Sequence, residues 1–200
     1  MVSNARKYAS PESYYELTKD RSLSPVLREA LNLVGDGNYK MALDFGCGAG
    51  GETKYLLEHG YQVTAVEGNP VAAKFINQLP NQDRLHFVLS EMEKFKFENY
   101  NFINASRSLP FTHKDTFSSL FANLKASLLP DGIFVGHFFG VNDQWNNPDE
   151  TMTFLSKEEV LNLLSGLEVL KLNETEGGGR LANGNIKYWH LFEVIAQKNQ

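Results

Sequence analysis

The chain has 200 residues, of which 42% are hydrophobic, and its formal net charge is −5. This length suits one domain with a complete hydrophobic core. No apolar run approaches the roughly 20 residues of a membrane-spanning helix, and no stretch rich in Lys or Arg indicates a nucleic-acid surface. We therefore expect a single domain that acts on a small molecule, with neither nucleic acid nor a membrane as its partner.

Cysteine usage and the N-terminal residues predict the compartment. Cys47 is the only cysteine, so no internal disulfide can form. No apolar segment follows residues 1–7, so no signal peptide is visible. We predict a cytoplasmic protein that is a monomer or a weak homodimer.

Two helices are predicted ahead of the first strand. The first covers residues 11–18, and we expect it to cover a ligand pocket with Tyr14 or Tyr15 on the substrate, although packing alone would equally explain both tyrosines. The second begins with Ser24 as N-cap and a proline at its first position. Its apolar stripe runs to Val34, and residues 35–38 end it.

A glycine-rich loop follows the first predicted strand. Asp44 ends an apolar run, and Gly46, Gly48 and Gly50 alternate ahead of a helix-forming stretch at residues 52–57. A strand, a glycine loop and a helix in this order are typical of a nucleotide-type site in a βαβ fold. Glycine allows a sharp turn and a close approach of a ligand, because no Cβ blocks it.

The charges beside the loop indicate which ligand it takes. The spacing of Gly46, Gly48 and Gly51 also fits the dinucleotide fingerprint. However, Asp44 and Glu52 put acids on both sides of the loop, whereas a pyrophosphate needs a helix N-terminus free of competing anions. Two flanking acids favour a ligand that carries positive charge.

The run from Asp44 to Gly50 resembles the first motif of the class I S-adenosylmethionine-dependent methyltransferases. In that class the loop cradles the methionine portion of the cofactor, which carries an ammonium and a sulfonium. The resemblance implies cofactor contacts from the loop, including Asp44, Gly46, Cys47, Gly48 and Gly50. Cys47 is interpreted as a small, tightly packed residue and not as a nucleophile.

The ends of the next strands predict the remaining cofactor contacts. Glu67 ends the strand at residues 62–66, close to the ~20 residues after Gly46 at which an acid accepts both ribose hydroxyls. Asn69 either reaches the adenosine or caps the helix predicted from Pro70 to Leu79. In the methyltransferase class, Glu91 and Met92, after the strand at residues 85–89, border the adenine.

The fourth strand, residues 100–104, ends beside the transferable methyl group in this class, and Asn104 is a further expected cofactor contact. The sequence after it lacks the Asn/Asp-Pro-Pro-aromatic run of enzymes that methylate planar amino groups on adenine or glutamine. Arg107 either holds an anionic substrate group or makes a surface ion pair, and Phe111 is expected in the substrate pocket.

The second half of the chain supplies more candidates for the substrate site. A helix at residues 115–129 precedes a turn and a buried fifth strand at residues 133–139, where His137 is either a core residue or a base. Trp145 lies in a polar loop that would form a substrate rim.

A capping box at Ser156 and Glu159 begins another helix. A sixth strand covers residues 167–172, and residues 177–180 are interpreted as a mobile connection. The final strand, at residues 186–196, would be antiparallel and would bring Trp189 or His190 to the substrate.

No His and Cys spacing indicates a metal site, and no Gly-x-Ser-x-Gly elbow is present. Methyl transfer from a sulfonium mainly needs alignment of the reacting atoms, with a general base only if the acceptor arrives protonated. The catalytic residue is therefore unknown, and the candidates are Arg107, His137 and His190.

The expected fold is a doubly wound α/β domain, Rossmann-like, with a seven-stranded, mostly parallel sheet and an antiparallel last strand. It covers residues 1–200, with a helical cap at 1–37 and the core at 38–200. Residues 104–111, 151–154 and 188–192 resemble the small bacterial methyltransferases of the tellurite-resistance and thiopurine type. The resemblance implies methyl transfer from S-adenosyl-L-methionine to a small molecule, with S-adenosyl-L-homocysteine as product. A nicotinamide-dependent oxidoreductase and a non-catalytic cofactor-binding module remain alternatives.

Overall fold

The computed structural model describes residues 10–34 and 40–200. Its sheet has the strand order β3-β2-β1-β4-β5-β8-β7, and a two-residue strand, β6, also pairs with β5. The strands are β1 Met41–Phe45, β2 Gln62–Glu67, β3 Leu85–Leu89, β4 Tyr100–Ala105, β5 Leu128–Gly140, β6 Phe154–Leu155, β7 Leu167–Arg180 and β8 Ile186–Lys198. The helices are α1 Pro11–Thr18, α2 Pro25–Val34, α3 Gly51–Glu58, α4 Ala73–Ile76, α5 Lys114–Ala126 and α6 Lys157–Leu163.

The sheet direction brings the predicted site residues to one edge. Strands β1 to β5 pair in parallel, so their carboxyl ends meet at the same edge. The strand order reverses between β1 and β4, and ligands of open α/β sheets bind at this switch point. β8 is antiparallel to both β5 and β7, as the final strand was predicted to be.

Helices cover both faces of the sheet because alternate strand residues point to opposite sides. On one face, Val26 and Leu27 of α2 pack with Val63, Phe102 and Ile195. On the other face, the buried aromatic residues of α5 pack with their counterparts on β5, namely Phe117, Phe121, Phe134 and Phe138. The polar groups at the carboxyl edge of the parallel strands therefore lie between two hydrophobic layers.

Several predicted element boundaries were wrong. The chain from Pro70 forms a 3-10 turn and then α4, which ends at Ile76. β5 begins at Leu128 and includes the predicted turn, as a bulge opposite Tyr100 and Phe102. α5 ends at Ala126, ahead of the predicted boundary.

The glycine run at residues 177–180 is not a loose connection but the end of β7, paired with β8. A Cβ on Gly179 would lie 2.7 Å from Cδ1 of Trp189. A glycine is therefore needed at this position so that the indole can lie against the strand.

The prediction that Ser24 caps α2 was also wrong, because the Ser24 hydroxyl is buried and has no hydrogen-bond partner among the described residues. The predicted end of α2 at residues 35–38 lies outside the described residues. Within the described ranges, no helix combines the length and apolar character needed to cross a membrane.

Candidate active site

The glycine loop between β1 and α3 is fastened to β2. The N–H groups of Gly46 and Cys47 both donate to the Val66 carbonyl at 2.9 Å. Gly48 has a positive φ of 54°. A Cβ on Gly46 would lie 2.3 Å from Cβ of Ser108, whereas one on Gly48 would meet only the Tyr15 ring, at 3.7 Å. Gly46 is thus required by packing, and Gly48 leaves open space beside the backbone.

Asp44 is held by protein groups and not exposed to a ligand. Its side chain is buried, and it accepts hydrogen bonds from Thr53 Oγ1 at 2.5 Å and from Asn104 Nδ2 at 2.8 Å. Burial, and then the charge of Glu52, raises the pKa of Asp44 to about 7. Asp44 and Asn104 therefore join β1, α3 and β4 beneath the loop.

Glu67 lies at the end of β2 against the glycine loop. Its carboxylate accepts hydrogen bonds from the N–H groups of Gly48 at 3.1 Å, Gly68 at 2.8 Å and Asn69 at 3.1 Å. The Tyr15 hydroxyl also donates to it. Burial raises the pKa of Glu67, although these hydrogen bonds act in the opposite direction. A half-buried carboxylate in this place is suited to accept hydrogen bonds from hydroxyl groups.

The other predicted cofactor contacts differ in their burial and in the groups that they contact. Met92 is buried, and its methyl carbon would lie 2.4 Å from a Cβ on Gly46, so it packs on the loop. Asn69 caps the following turn by accepting a hydrogen bond from the Val71 N–H. Glu91 forms an exposed ion pair with Lys94 at 2.6 Å. Burial raises the pKa of the Cys47 thiol, which disfavours the nucleophilic thiolate.

A separate cavity of about 620 Å³ lies at the active edge of the sheet. Five aromatic side chains line it, from Tyr14, Phe111, Phe139, Trp145 and Trp189. Their centroids are 5.5 Å apart for Phe111 and Phe139, and 5.5 Å for Trp145 and Trp189. The structure thus brings together the four predicted aromatic substrate residues and adds Phe139. Arg107, also predicted on the substrate side, lines the same cavity.

His137 lines this cavity and faces Glu193 on the neighbouring strand. Its Nε2 is 3.2 Å from Oε1 of Glu193, while Nδ1 is buried and has no hydrogen-bond partner among the described residues. The hydrogen bond with His137 lowers the pKa of Glu193 to about 2. Because the carboxylate accepts from Nε2, the lone pair of the neutral ring is on Nδ1.

Arg107 forms the ion pair that was one of its two predicted roles, and its contact with a substrate anion stays a prediction. Its backbone has a φ of 60°, and its guanidinium pairs with Glu52, in the first turn of α3, at 3.4 Å. It also lines the cavity. This ion pair therefore joins the helix that follows the glycine loop to the cavity wall.

A buried ion pair that the sequence analysis missed supports the aromatic wall. Lys187 pairs with Asp143, and both side chains are almost fully buried. The Lys187 ammonium lies 3.9 Å from the Trp145 ring centroid and 4.0 Å from that of Trp189. Asp143 also accepts from the N–H groups of Trp145 and His190. The pair thus holds the loop after β5 against β8.

His190 does not line the cavity, so its position gives no support to the predicted catalytic or substrate role. Neighbouring residues of β8 face opposite sides of the sheet, and Trp189 faces the cavity. His190 Nδ1 accepts from the Asn142 N–H at 3.1 Å, and Nε2 contacts Glu174 at 3.1 Å.

Glu174, Glu176 and His190 lie close enough together to suggest a metal site among the described residues. The Nε2 atom carries the ring proton, however, because Nδ1 is an acceptor. It therefore has no lone pair to offer a metal ion.

Comparison with known proteins decides the family. The model of the family described as tellurite resistance protein TehB matches residues 7–187. The chain belongs to the TehB family. The predicted family is confirmed, and the chain is an S-adenosylmethionine-dependent methyltransferase. No curated protein sequence matches it.

Solved structures share this fold at low sequence identity. TehB from Haemophilus influenzae is 21% identical with a TM-score of 0.78, over 95% of this chain and 68% of that one. The 1,6-didemethyltoxoflavin-N1-methyltransferase of Burkholderia thailandensis is 21% identical with a TM-score of 0.70, over 100% and 92%. The N-methyltransferase NodS of Bradyrhizobium japonicum, in complex with S-adenosyl-L-homocysteine, is 17% identical with a TM-score of 0.66, over 99% and 94%.

The predicted fold and cofactor are confirmed, and nothing in these comparisons favours an oxidoreductase or a non-catalytic module. The residues of this chain fit the cofactor, since Gly48 leaves open space beside the loop and the Glu67 carboxylate lies next to it. When bound, S-adenosylmethionine supplies an activated methyl group on its sulfonium.

Proposed function

We propose that a small-molecule acceptor binds in the cavity and is methylated there. One observation carries this proposal: the cavity reaches Arg107, just beyond the end of β4 and beside the first turn of α3. An acceptor in the cavity is thereby next to the glycine loop. The structure of the methyltransferase from Burkholderia thailandensis contains bound 1,6-didemethyltoxoflavin beside S-adenosylhomocysteine, which supports a small-molecule acceptor here.

The cofactor contacts that we propose are the loop residues and their immediate neighbours. The backbone of the loop faces the cofactor at Gly46, Cys47, Gly48 and Gly50. The Glu67 carboxylate accepts hydrogen bonds from the ribose hydroxyls. Met92 covers the adenine with Asn69 and Glu91 nearby. Asp44 and Asn104 act from beneath the loop by fixing its position, because their polar atoms bind each other.

For acceptors that arrive protonated, we propose His137 as the general base. Transfer of the methyl group leaves neutral S-adenosylhomocysteine, and the acceptor loses one proton, which Nδ1 of His137 accepts. Glu193 holds the ring by its opposite nitrogen and stabilises the protonated form.

Cofactor binding and turnover test this function in two steps. S-adenosylhomocysteine should raise the melting temperature of the purified protein, and NADH should not. Labelled S-adenosylmethionine should then yield methylated product from a panel of thiols, amines and oxyanions. Stabilisation by NADH alone would contradict the proposal, and binding without any turnover would favour a non-catalytic module.

We further propose a single domain in which residues 1–37 cap an α/β core at 38–200. The presence of one buried, unpaired cysteine supports a cytoplasmic location. A monomer or weak homodimer remains our prediction for the oligomeric state, and light scattering would test it.

A further inference from the structure

Of the three arginines that line the cavity, two form no ion pair with a described residue. Arg21, Arg107 and Arg180 all line it. Arg21 makes no ion pair with any described residue. The guanidinium of Arg180 donates to the Gly184 carbonyl at 3.2 Å, and it forms no ion pair with any described residue.

The two carboxylates in the lining are already engaged. Glu193 binds His137, and it also accepts from Asn173 at 3.2 Å. Glu176 accepts from Asn142 at 3.1 Å and from the Tyr188 hydroxyl at 3.0 Å. Neither carboxylate pairs with Arg21 or Arg180, so the N–H donors of these two guanidinium groups are available to a ligand.

Buried polar atoms in the lining also lack partners. The Ser24 side chain is fully buried, and its hydroxyl has no hydrogen-bond partner among the described residues, only three positions after Arg21. His137 Nδ1 is the second such atom. Buried polar groups are normally satisfied, so an unsatisfied hydroxyl beside an unpaired arginine indicates that a ligand atom completes this part of the cavity.

The opposite part of the lining is aromatic. Trp145 and Trp189 lie 5.5 Å apart, and Phe139 is 5.8 Å from each of them. These rings are fixed from behind by the buried Lys187. A surface of this kind favours a flat ring, because offset and edge-to-face contacts add to burial of apolar area.

We infer that the acceptor is an aromatic or heteroaromatic acid, with its ring against the tryptophan wall and its anionic group on Arg21, Arg180 and Ser24. This inference rests on the proposed role of the cavity as the acceptor site. It adds a requirement for both a flat ring and a negative charge. A small inorganic anion would meet only the second requirement.

Fluorescence offers a direct test, because Trp145 and Trp189 are the only two tryptophans in the chain. The probes are 4-nitrobenzoate and the uncharged 4-nitrobenzyl alcohol, both of which quench tryptophan emission on contact. In the unsubstituted protein, 4-nitrobenzoate should bind about tenfold more tightly than the alcohol, as expected for charge-assisted hydrogen bonds. Cyclohexanecarboxylate, which has the charge without the aromatic ring, should displace 4-nitrobenzoate only weakly.

Substitutions separate the two requirements. The double variant Arg21→Gln/Arg180→Gln should bind 4-nitrobenzoate no better than the alcohol, with its affinity for the alcohol unchanged. Arg28→Gln, an exposed arginine of α2 outside the cavity lining, is the matched control and should behave like the unsubstituted protein.

Equal affinities for the two nitro probes, an absence of quenching by either one, or full displacement by cyclohexanecarboxylate would overturn the inference. Stabilisation by S-adenosylhomocysteine is measured separately. It would persist if only the acceptor class were wrong, and it would be lost if the cofactor assignment itself were wrong.

Discussion

His137 and Glu193 face each other across the ladder of β5 and β8, with Nε2 and Oε1 3.2 Å apart. The remaining oxygen of Glu193 accepts from Asn173, so the carboxylate is held on both sides. A fixed carboxylate fixes the imidazole in turn. The ring nitrogen with the lone pair, Nδ1, has no hydrogen-bond partner in the part of the chain that the structure describes. Under the proposed mechanism the two residues have different roles: His137 takes the proton, and Glu193 positions the ring.

The substitution Glu193→Gln should therefore slow the methylation of protonated acceptors about tenfold, and His137→Phe about 100-fold, which is typical for loss of a general base. An acceptor that is already ionised at the assay pH should react at an unchanged kcat in both variants. Glu168→Gln, at an exposed position of β7, is the control. Equal losses for ionised and protonated acceptors would show a purely structural role.

Cofactor affinity should depend on Gly48 and Glu67. Gly48→Val puts a branched side chain at a φ of 54° and fills the open space, and Glu67→Ala removes the proposed ribose acceptor. Each should weaken S-adenosylhomocysteine binding at least about tenfold by calorimetry, since a hydrogen bond to a charged group contributes about 1.5–3 kcal/mol.

Gly51→Ala is the matched control for the loop, because its φ is not positive and the nearest atom to the added Cβ is 3.8 Å away. Its affinity for S-adenosylhomocysteine should stay close to that of the unsubstituted protein. Unchanged affinity in both Gly48→Val and Glu67→Ala would contradict the cofactor site.

The buried ion pair behind the tryptophans should matter for stability. Lys187→Met leaves Asp143 charged and unpaired in a buried position, and we expect the free energy of unfolding in urea to fall by about 3 kcal/mol. The double variant Lys187→Met/Asp143→Asn removes the stranded charge and should recover part of this loss. A single variant as stable as the unsubstituted protein would mean that the pair makes no net contribution.

Asp44 predicts a pH dependence of stability. Its pKa is about 7 in the folded protein, above the ordinary value of 3.8. The folded state therefore keeps a proton that the unfolded state releases between about pH 4 and pH 7, so stability falls as the pH rises through this window. Asp44→Asn should reduce that slope in urea titrations. A slope equal to that of the unsubstituted protein would show that Asp44 is ionised in the folded state.

Most of the residues proposed to bind the cofactor could be predicted from the sequence, because the patterns that indicate them are local. The loop glycines, Asp44 and Glu67 lie within a stretch of 24 residues. Asp44 and Glu67 each mark the end of an apolar strand. The acceptor side depends on pairing between distant strands. Glu193 could have been found by placing alternate residues of β8 on one face, since Trp189 and Glu193 are four residues apart.

Other parts of the acceptor site had no readable signal. The pair of Lys187 with Asp143 joins residues 44 positions apart, and no pattern in the sequence relates them. The proposed contact of Arg180 with the acceptor was not predicted, because the three glycines that precede Arg180 suggest a flexible loop. Here the neighbouring strand β8 supplies the hydrogen bonds that keep this segment extended.

Tyr14 and Tyr15 are consecutive residues of α1, and they point to different compartments because helical neighbours are about 100° apart. Tyr14 lines the acceptor cavity, and Tyr15 donates to Glu67. In addition, α1 is attached to α4 by an exposed pair between Glu12 and Lys74 and by the Tyr15–Phe75 ring contact. One short helix thus contacts both the acceptor cavity and the carboxylate beside the glycine loop, so a displacement of α1 would alter the two sites together.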